Sequence, residues 1–181
     1  MELFIIRHGE TDYNLLGIVQ GSRVNTDLNK TGLHQSTKFY EFYKDEGFEK
    51  VYTSKLNRSI QSVKAFIEMG IPWEQHEALN EINWGNTDGQ KATVQEHAEY
   101  VETLKMWQEG KFENRMPGGE SPMDVSLRQK VMVEKLKTDP YNKVLLCMHG
   151  RALRIFLCNL LDVSLTEMDN FEHSNLCLYR L

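Results

Sequence analysis

Two observations predict an α/β domain with a mainly parallel sheet and helices on both faces. Short apolar runs suited to buried strands recur along the chain, and longer helix-patterned segments separate them. A third observation says where to look for chemistry: two of those runs end in the same dipeptide, His-Gly. In sheets of this kind ligands bind outside the carboxyl ends of the strands.

Residues 2–7 (ELFIIR) are the first buried run, ending at His8-Gly9. Residues 31–46 carry Leu33, Phe39, Phe42 and Tyr43 at helical spacing, which predicts an amphipathic helix. Residues 49–53 (EKVYT) predict a second strand, and Ser54 is placed to cap a helix through Leu56, Ile60, Val63, Ala65, Phe66 and Ile67. Gly70-Ile71-Pro72 breaks that helix, and an extended piece follows over 73–79. A polar helix-forming stretch covers 90–111, then 116–119 is a loop. Ser121-Pro122 suits the cap and first position of another helix, reaching about residue 137. Residues 143–148 (KVLLCM) read as a buried strand ending at His149-Gly150. The stretch 150–161, apolar on nearly all sides, predicts a buried helix. Residues 176–181 close the chain as a strand.

The chain has 181 residues and neither repeat nor linker, so 1–181 reads as one domain. A net charge of -5 argues against a nucleic-acid partner, which asks for a basic stripe. No apolar run is long enough to span a bilayer. The opening Met1-Glu2 lacks a leader's basic start, so a cytoplasmic location is expected. Cys147, Cys158 and Cys177 sit among apolar neighbours and read as small buried side chains; their spacing suits neither a disulfide framework nor zinc.

His8 and His149 share one setting, the end of a buried strand before a glycine. His34, His76, His97 and His173 lie in polar or mixed contexts and read as surface or structural residues. Arg7 precedes His8, and Arg58 falls just past the second strand in the first turn of a helix. An arginine fork grips phosphate bidentately, and helix-start amides favour anions. Two arginines and two histidines on one edge of an acidic chain are most economically a local basic pocket for phosphate. Such a pocket needs an acid only for catalysis. Glu81, after the third extended piece, fits that role; Glu77 and Glu74 are its rivals.

Several motifs follow one another between residues 7 and 154. They are Arg7-His8-Gly9-Glu10-Thr11 with Asn14 and Gln20-Gly21, then Tyr52-Thr53-Ser54-Lys55-Leu56-Asn57-Arg58-Ser59. Glu81 with Gly85 and Gly89, Gly118-Gly119-Glu120-Ser121, and His149-Gly150 with Arg154 complete the order. The set resembles the signature of the histidine phosphatase superfamily, in its phosphoglycerate mutase-like branch. That resemblance implies a phosphoglycerate mutase-like three-layer fold and phosphorylation of His8. It places Arg7, Arg58 and His149 around the phosphoryl group, with Asn14, Gly21 and Gly150 as substrate-binding neighbours, and makes Glu81 the proton donor. Asn175 is a further pocket candidate, though it also reads as a turn residue. No metal or other cofactor is implied. The sequence departs from the pattern at residues 22–28, a stretch one residue longer and without the usual proline. Asp88 stands where glutamate is usual, and Arg151 where a small residue is.

The expected activity is a metal-independent phosphomonoesterase acting through phosphohistidine. The alternative is a phosphoglycerate mutase-type phosphotransferase, disfavoured because only 85–121 is left to cover the site. A non-catalytic module that docks phosphorylated ligands ranks last, because His8 and Glu81 are both present. Residues 85–121 are expected to be a lid or specificity segment, and the partner a small phosphorylated metabolite. Oligomeric state has no signature in the sequence.

Overall fold

The computed structural model describes residues 1–181 and places five strands in one sheet, in the order β3-β2-β4-β1-β5. These are β1 (Glu2–Arg7), β2 (Lys50–Thr53), β3 (Trp73–Gln75), β4 (Lys143–Met148) and β5 (Leu178–Arg180). The pairs β1/β4, β2/β4 and β2/β3 are parallel, and β5 runs antiparallel to β1. The helices are α1 (Asp12–Leu16), α2 (Lys30–Tyr43), α3 (Asn57–Ser62), α4 (Lys64–Glu68), α5 (Val94–Gln108), α6 (Pro122–Thr138) and α7 (Gly150–Leu161).

Strand side chains alternate between faces, so each central strand feeds two cores. Leu3, Ile5, Val144, Leu146 and Met148 pack on one face against Met132 and Val133 of α6 and Phe156 and Leu157 of α7. Phe4, Ile6, Leu145 and Cys147 pack on the other against Phe39 of α2 and Phe66 of α4. Three layers result, as expected. A third cluster joins Ile82, Trp84, Trp107 and Met116 to Val125 and Ile155, so much of the 85–121 segment rests on α6 and α7. No helix is long and apolar enough to cross a membrane.

Several local expectations are corrected. On α2, Phe42 is 80% exposed and Leu33 50%, while Gly32, Ser36 and Phe39 face inward. Small residues are selected there because the helix meets backbone: a Cβ on Gly32 would collide with the Glu10 carbonyl, and Ser36 Oγ donates to Ser62 O at 2.8 Å. The helix after β2 starts at Asn57, with Leu56 rather than Ser54 at its cap position, and it divides at Val63. Serine side chains compete for its carbonyls: Ser59 Oγ donates to Leu56 O at 2.8 Å and Ser62 Oγ to Arg58 O at 2.6 Å. The extended piece at 73–79 is a strand only over Trp73–Gln75; Glu77–Leu79 forms a 3-10 turn. Residues 90–111 are helical over Val94–Gln108, where Thr93 and Glu96 form a capping box. Cys177 is partly exposed, unlike Cys147 and Cys158.

Candidate active site

Register brings the two histidines together. Arg7 pairs with Met148 across β1 and β4, and His8 N donates to Met148 O at 3.0 Å. The residues that follow each strand are therefore neighbours, and the His8 and His149 rings lie 5.1 Å apart. Strand β2 runs parallel beside β4, so Ser54 and Arg58 emerge at the same edge. A cavity of about 190 Å³ opens there, lined by Arg7, His8, Asn14, Glu81, Gly150 and Arg151 among others. Arg58 and His149 are wholly buried beside it.

Each candidate side chain is held in a definite state. His8 Nδ1 lies 2.7 Å from Gly9 O. A carbonyl only accepts, so Nδ1 carries the hydrogen and the lone pair is on Nε2. His149 Nε2 meets Ser54 Oγ at 2.7 Å, and Ser54 Oγ meets Ser59 Oγ at 2.7 Å. Ser59 spends its own proton on Leu56 O, so protons run from His149 through Ser54 to Ser59. This serine pair carried no sequence signal beyond its motif, because hydroxyls at a strand end usually read as caps.

Both arginines are anchored by their terminal nitrogens. Arg7 donates through Nη1 to His173 O. Arg58 donates from Nη1 to Val24 O at 2.6 Å and from Nη2 to Gly21 O at 3.3 Å. The lengthened 22–28 loop is thus a clamp on Arg58, further tied by Leu28 N to Gln61 Oε1 at 2.7 Å. The remaining atoms matter most: Arg7 Nε, Arg58 Nε and His149 Nδ1 are buried with no hydrogen-bond partner. An unsatisfied buried polar group costs about 1–3 kcal/mol; an anion here would accept from both arginine Nε–H groups at once, and from His149 Nδ1 when that nitrogen takes up a proton.

Glu81 is gripped where α7 begins. Its Oε1 accepts from Ile82 N and Ala152 N, both at 2.8 Å, and Oε2 from Arg151 N at 3.1 Å. Its sequence rivals are elsewhere: Glu77 is an exposed partner of Lys55, and Glu74 pairs with Lys50. Asn14 Oδ1 is spent on Thr11 and Asn175, which leaves its amide NH2 to face the cavity it lines. Gly150 also lines it. Gly21 stands behind the cavity rather than on its wall; its N–H donates to Asp88 Oδ1 at 2.7 Å, and any Cβ there would strike that carboxylate. Asp88 is therefore the latch of the Arg58 loop, and burial raises its carboxyl above the ordinary aspartate range. Asn175 donates to His8 O at 2.9 Å and so supports the histidine from behind. His173, read from its context as surface or structural, lines the cavity. Only its distance along the chain hid it.

Burial, and then the charges of Arg58 and Arg7, hold His8 well below the usual histidine range. Burial, Arg58, His8 and Arg7 do the same to His149. Burial also pushes Arg58 down to about 10, which leaves it a cation at neutral pH. The sign of the consequence is fixed. The unfolded chain binds these two protons below about pH 6.5, and the folded chain resists them. Stability is thus full above about pH 6.5 and falls below it, by up to about 1.4 kcal/mol per pH unit for each histidine. Melting temperatures between pH 6.5 and 5.5 are expected to drop, with a flatter slope in His149→Gln. An unchanged melting temperature across that window would mean that both rings take up protons in the folded protein as they do in the unfolded chain, and a rising one that they are held protonated there.

No cluster of His, Cys, Asp or Glu side chains is arranged to hold a metal ion, and the positive charge at this edge comes from guanidinium groups. A family model described as the histidine phosphatase superfamily (branch 1) matches residues 3–181. The rat 6-phosphofructo-2-kinase/fructose-2,6-bisphosphatase 1 is 31% identical over 169 residues, covering 92% of this chain and 34% of that protein. The chain thus spans about a third of the length of the curated relatives it matches. Among solved structures, the α-ribazole phosphatase of Shigella flexneri superposes with a TM-score of 0.85 at 23% identity, covering 99% of this chain and 89% of that one. A mycobacterial glucosyl-3-phosphoglycerate phosphatase in complex with VO3 gives 0.83 at 22% identity, covering 99% and 92%. At these identities the two structures establish the fold.

Proposed function

From the premise that the chain belongs to the histidine phosphatase superfamily, we propose that it is a metal-independent phosphomonoesterase working through a phosphohistidine on His8. One observation carries the reading. Three buried nitrogens without partners, on Arg7, Arg58 and His149, surround a histidine whose neutral ring has its lone pair on Nε2. That is a nucleophile beside two guanidinium donors and an imidazole that can take up a proton, the groups a phosphoryl anion needs.

The substrate's phosphoryl group enters with its oxygens on Arg7 Nε, Arg58 Nε and the Asn14 amide. Its negative charge draws a proton from solvent onto His149 Nδ1, to be given back when phosphate leaves, while Nε2 keeps its bond to Ser54. His8 Nε2 attacks phosphorus as the ester P–O bond breaks, and Glu81 delivers a proton to the leaving oxygen. Two amides occupy Oε1, so the proton rides on Oε2. In the second step Glu81 takes a proton from water, the resulting hydroxide oxygen attacks phosphorus, and the P–N bond breaks. Inorganic phosphate leaves and His8 is restored. Residues 85–121 cover the site through Trp84 at their threshold and Tyr100, which line the cavity. The substrate is a small phosphorylated metabolite handled in the cytoplasm. Phosphoglycerate mutase-type transfer to a second hydroxyl is the alternative.

Chelated, dialysed protein is expected to release inorganic phosphate from phosphomonoesters, with no gain in transfer product when alcohol acceptors are added. Arg58→Ala should lose roughly 100-fold in kcat/KM, the scale of one hydrogen bond to a charged group. Vanadate should inhibit the wild type and this variant to very different degrees. Equal inhibition would remove Arg58 from the phosphoryl site, and activity that depends on an added divalent ion would sink the metal-independent reading.

A further inference from the structure

We propose that the cavity contains a second anion subsite built on Arg151, so that the preferred substrates carry a further carboxylate or phosphate a few bonds from the scissile ester. This rests on the phosphatase reading above and adds a substrate class to it.

Arg151 sits in the first turn of α7 and lines the same cavity as Arg7 and His8. It is only 7% exposed, so it is not a solvated surface charge. Two independent contacts fix its guanidinium. Nη1 donates to Asp169 Oδ1 at 2.6 Å, and the group lies 5.5 Å over the ring of Trp107. Trp107 is itself fully buried and stacks on Trp84 at 5.8 Å; Trp84 in turn meets Tyr100 at 5.2 Å. The 85–121 segment thus supplies the platform that holds Arg151 flat. A planar fork held in place loses little freedom when it binds.

What distinguishes Arg151 from a structural arginine is the edge left over. Arg128, which is structural, spends itself on Ala78 O, Asn80 O, Glu81 O and Glu120. The Nε and Nη2 of Arg151 donate to nothing in the protein. That free pair is the edge that carboxylate and phosphate oxygens match bidentately. The local charge is also unbalanced. Asp169 Oδ1 serves Arg154 as well, at 3.0 Å, so one carboxylate answers two guanidiniums. His173 feels the surplus: burial, then Arg154, Arg7 and Arg151, hold it down to about 4. It is neutral at pH 7 and can donate a hydrogen bond to an anion without a counter-charge of its own.

The phosphoryl group does not need Arg151, because Arg7, Arg58 and His149 already surround it. The test therefore compares matched substrates that differ in the second group. One pair is 3-phosphoglycerate against glycerol 3-phosphate, the other glucose 1,6-bisphosphate against glucose 6-phosphate. The wild type should prefer the acidic member of at least one pair by tenfold or more in kcat/KM, and which pair responds separates carboxylate from phosphate. Arg151→Gln should reduce that ratio at least tenfold. Arg151→Lys, which keeps the charge and loses the fork, should give an intermediate ratio. No acidic preference in the wild type, or the same ratio in wild type and Arg151→Gln, overturns the subsite. Should Arg151→Gln not fold, the wild-type ratios and Arg151→Lys decide. Nitrophenyl phosphate, with no second anion, reports the phosphatase reading separately: its turnover with flat ratios sinks the subsite alone.

Discussion

Replacing His8 with alanine is expected to remove the phosphoenzyme and to lower kcat by roughly 10⁴-fold or more, the scale seen when a covalent nucleophile is lost. Arg7, Arg58 and His149 would remain, so the variant should still bind phosphate. Binding and chemistry then separate cleanly. Brief mixing of wild type with labelled substrate should give an acid-labile, alkali-stable phosphoprotein, and the variant should give none. Substrate affinity by titration should change far less than turnover. The alternative nucleophile in reach is His149, through its unpartnered Nδ1, because Nε2 is committed to Ser54. Label that persists in His8→Ala would place the nucleophile there or elsewhere. A label that is alkali-labile would indicate a serine or carboxylate ester instead.

The centre of the sheet was legible because β1 and β4 are continuous apolar runs buried on both faces; the short edge strands β3 and β5 are partly exposed and carry a weaker signal. The strand order, which the sequence does not carry, makes β1 and β4 parallel neighbours, and the two His-Gly pairs meet at one edge. Helix ends were less legible because Ser54 looks like a cap residue in sequence yet meets an imidazole in the fold, and Ser59 and Ser62 bond helix carbonyls instead. Phe42 misled for a related reason: its spacing suits a core face, but close backbone contact reserves that face for Gly32 and Ser36. At the site, Arg7, His8, Glu81, Asn14 and Gly150 do line one cavity, with Arg58 and His149 buried beside it. Gly21 instead braces Arg58, and His173 joins the wall from far along the chain. From sequence alone Arg151 is either a charge added to the site or a solvent-facing side chain; its burial against Trp107 and Asp169, both distant along the chain, decides against solvent.

Glu81→Gln is expected to separate proton donation from positioning. The substitution keeps size and one carbonyl oxygen, so that oxygen can still accept from Ile82 N and Ala152 N, as Oε1 does now. The amide NH2 would then face Arg151 N, where Oε2 now accepts, and this costs one weak hydrogen bond. What is lost in chemistry is the transferable proton. An alkyl phosphate expels an alkoxide that needs that proton in the transition state, whereas a nitrophenyl phosphate expels a phenolate that needs little help. Single-turnover phosphorylation of His8 by an alkyl phosphate should therefore slow by roughly 10²–10⁴-fold, the range of general acid–base catalysis. Phosphorylation by nitrophenyl phosphate should slow much less. The first step must be isolated, because water attack also uses Glu81 and would slow steady-state turnover of both esters alike. An equal loss for the two substrates in that step would make Glu81 a brace for the start of α7 rather than an acid. No loss for either would leave the leaving group without a donor at the cavity wall, since Asp88 is turned to Gly21 and Glu77 to Lys55.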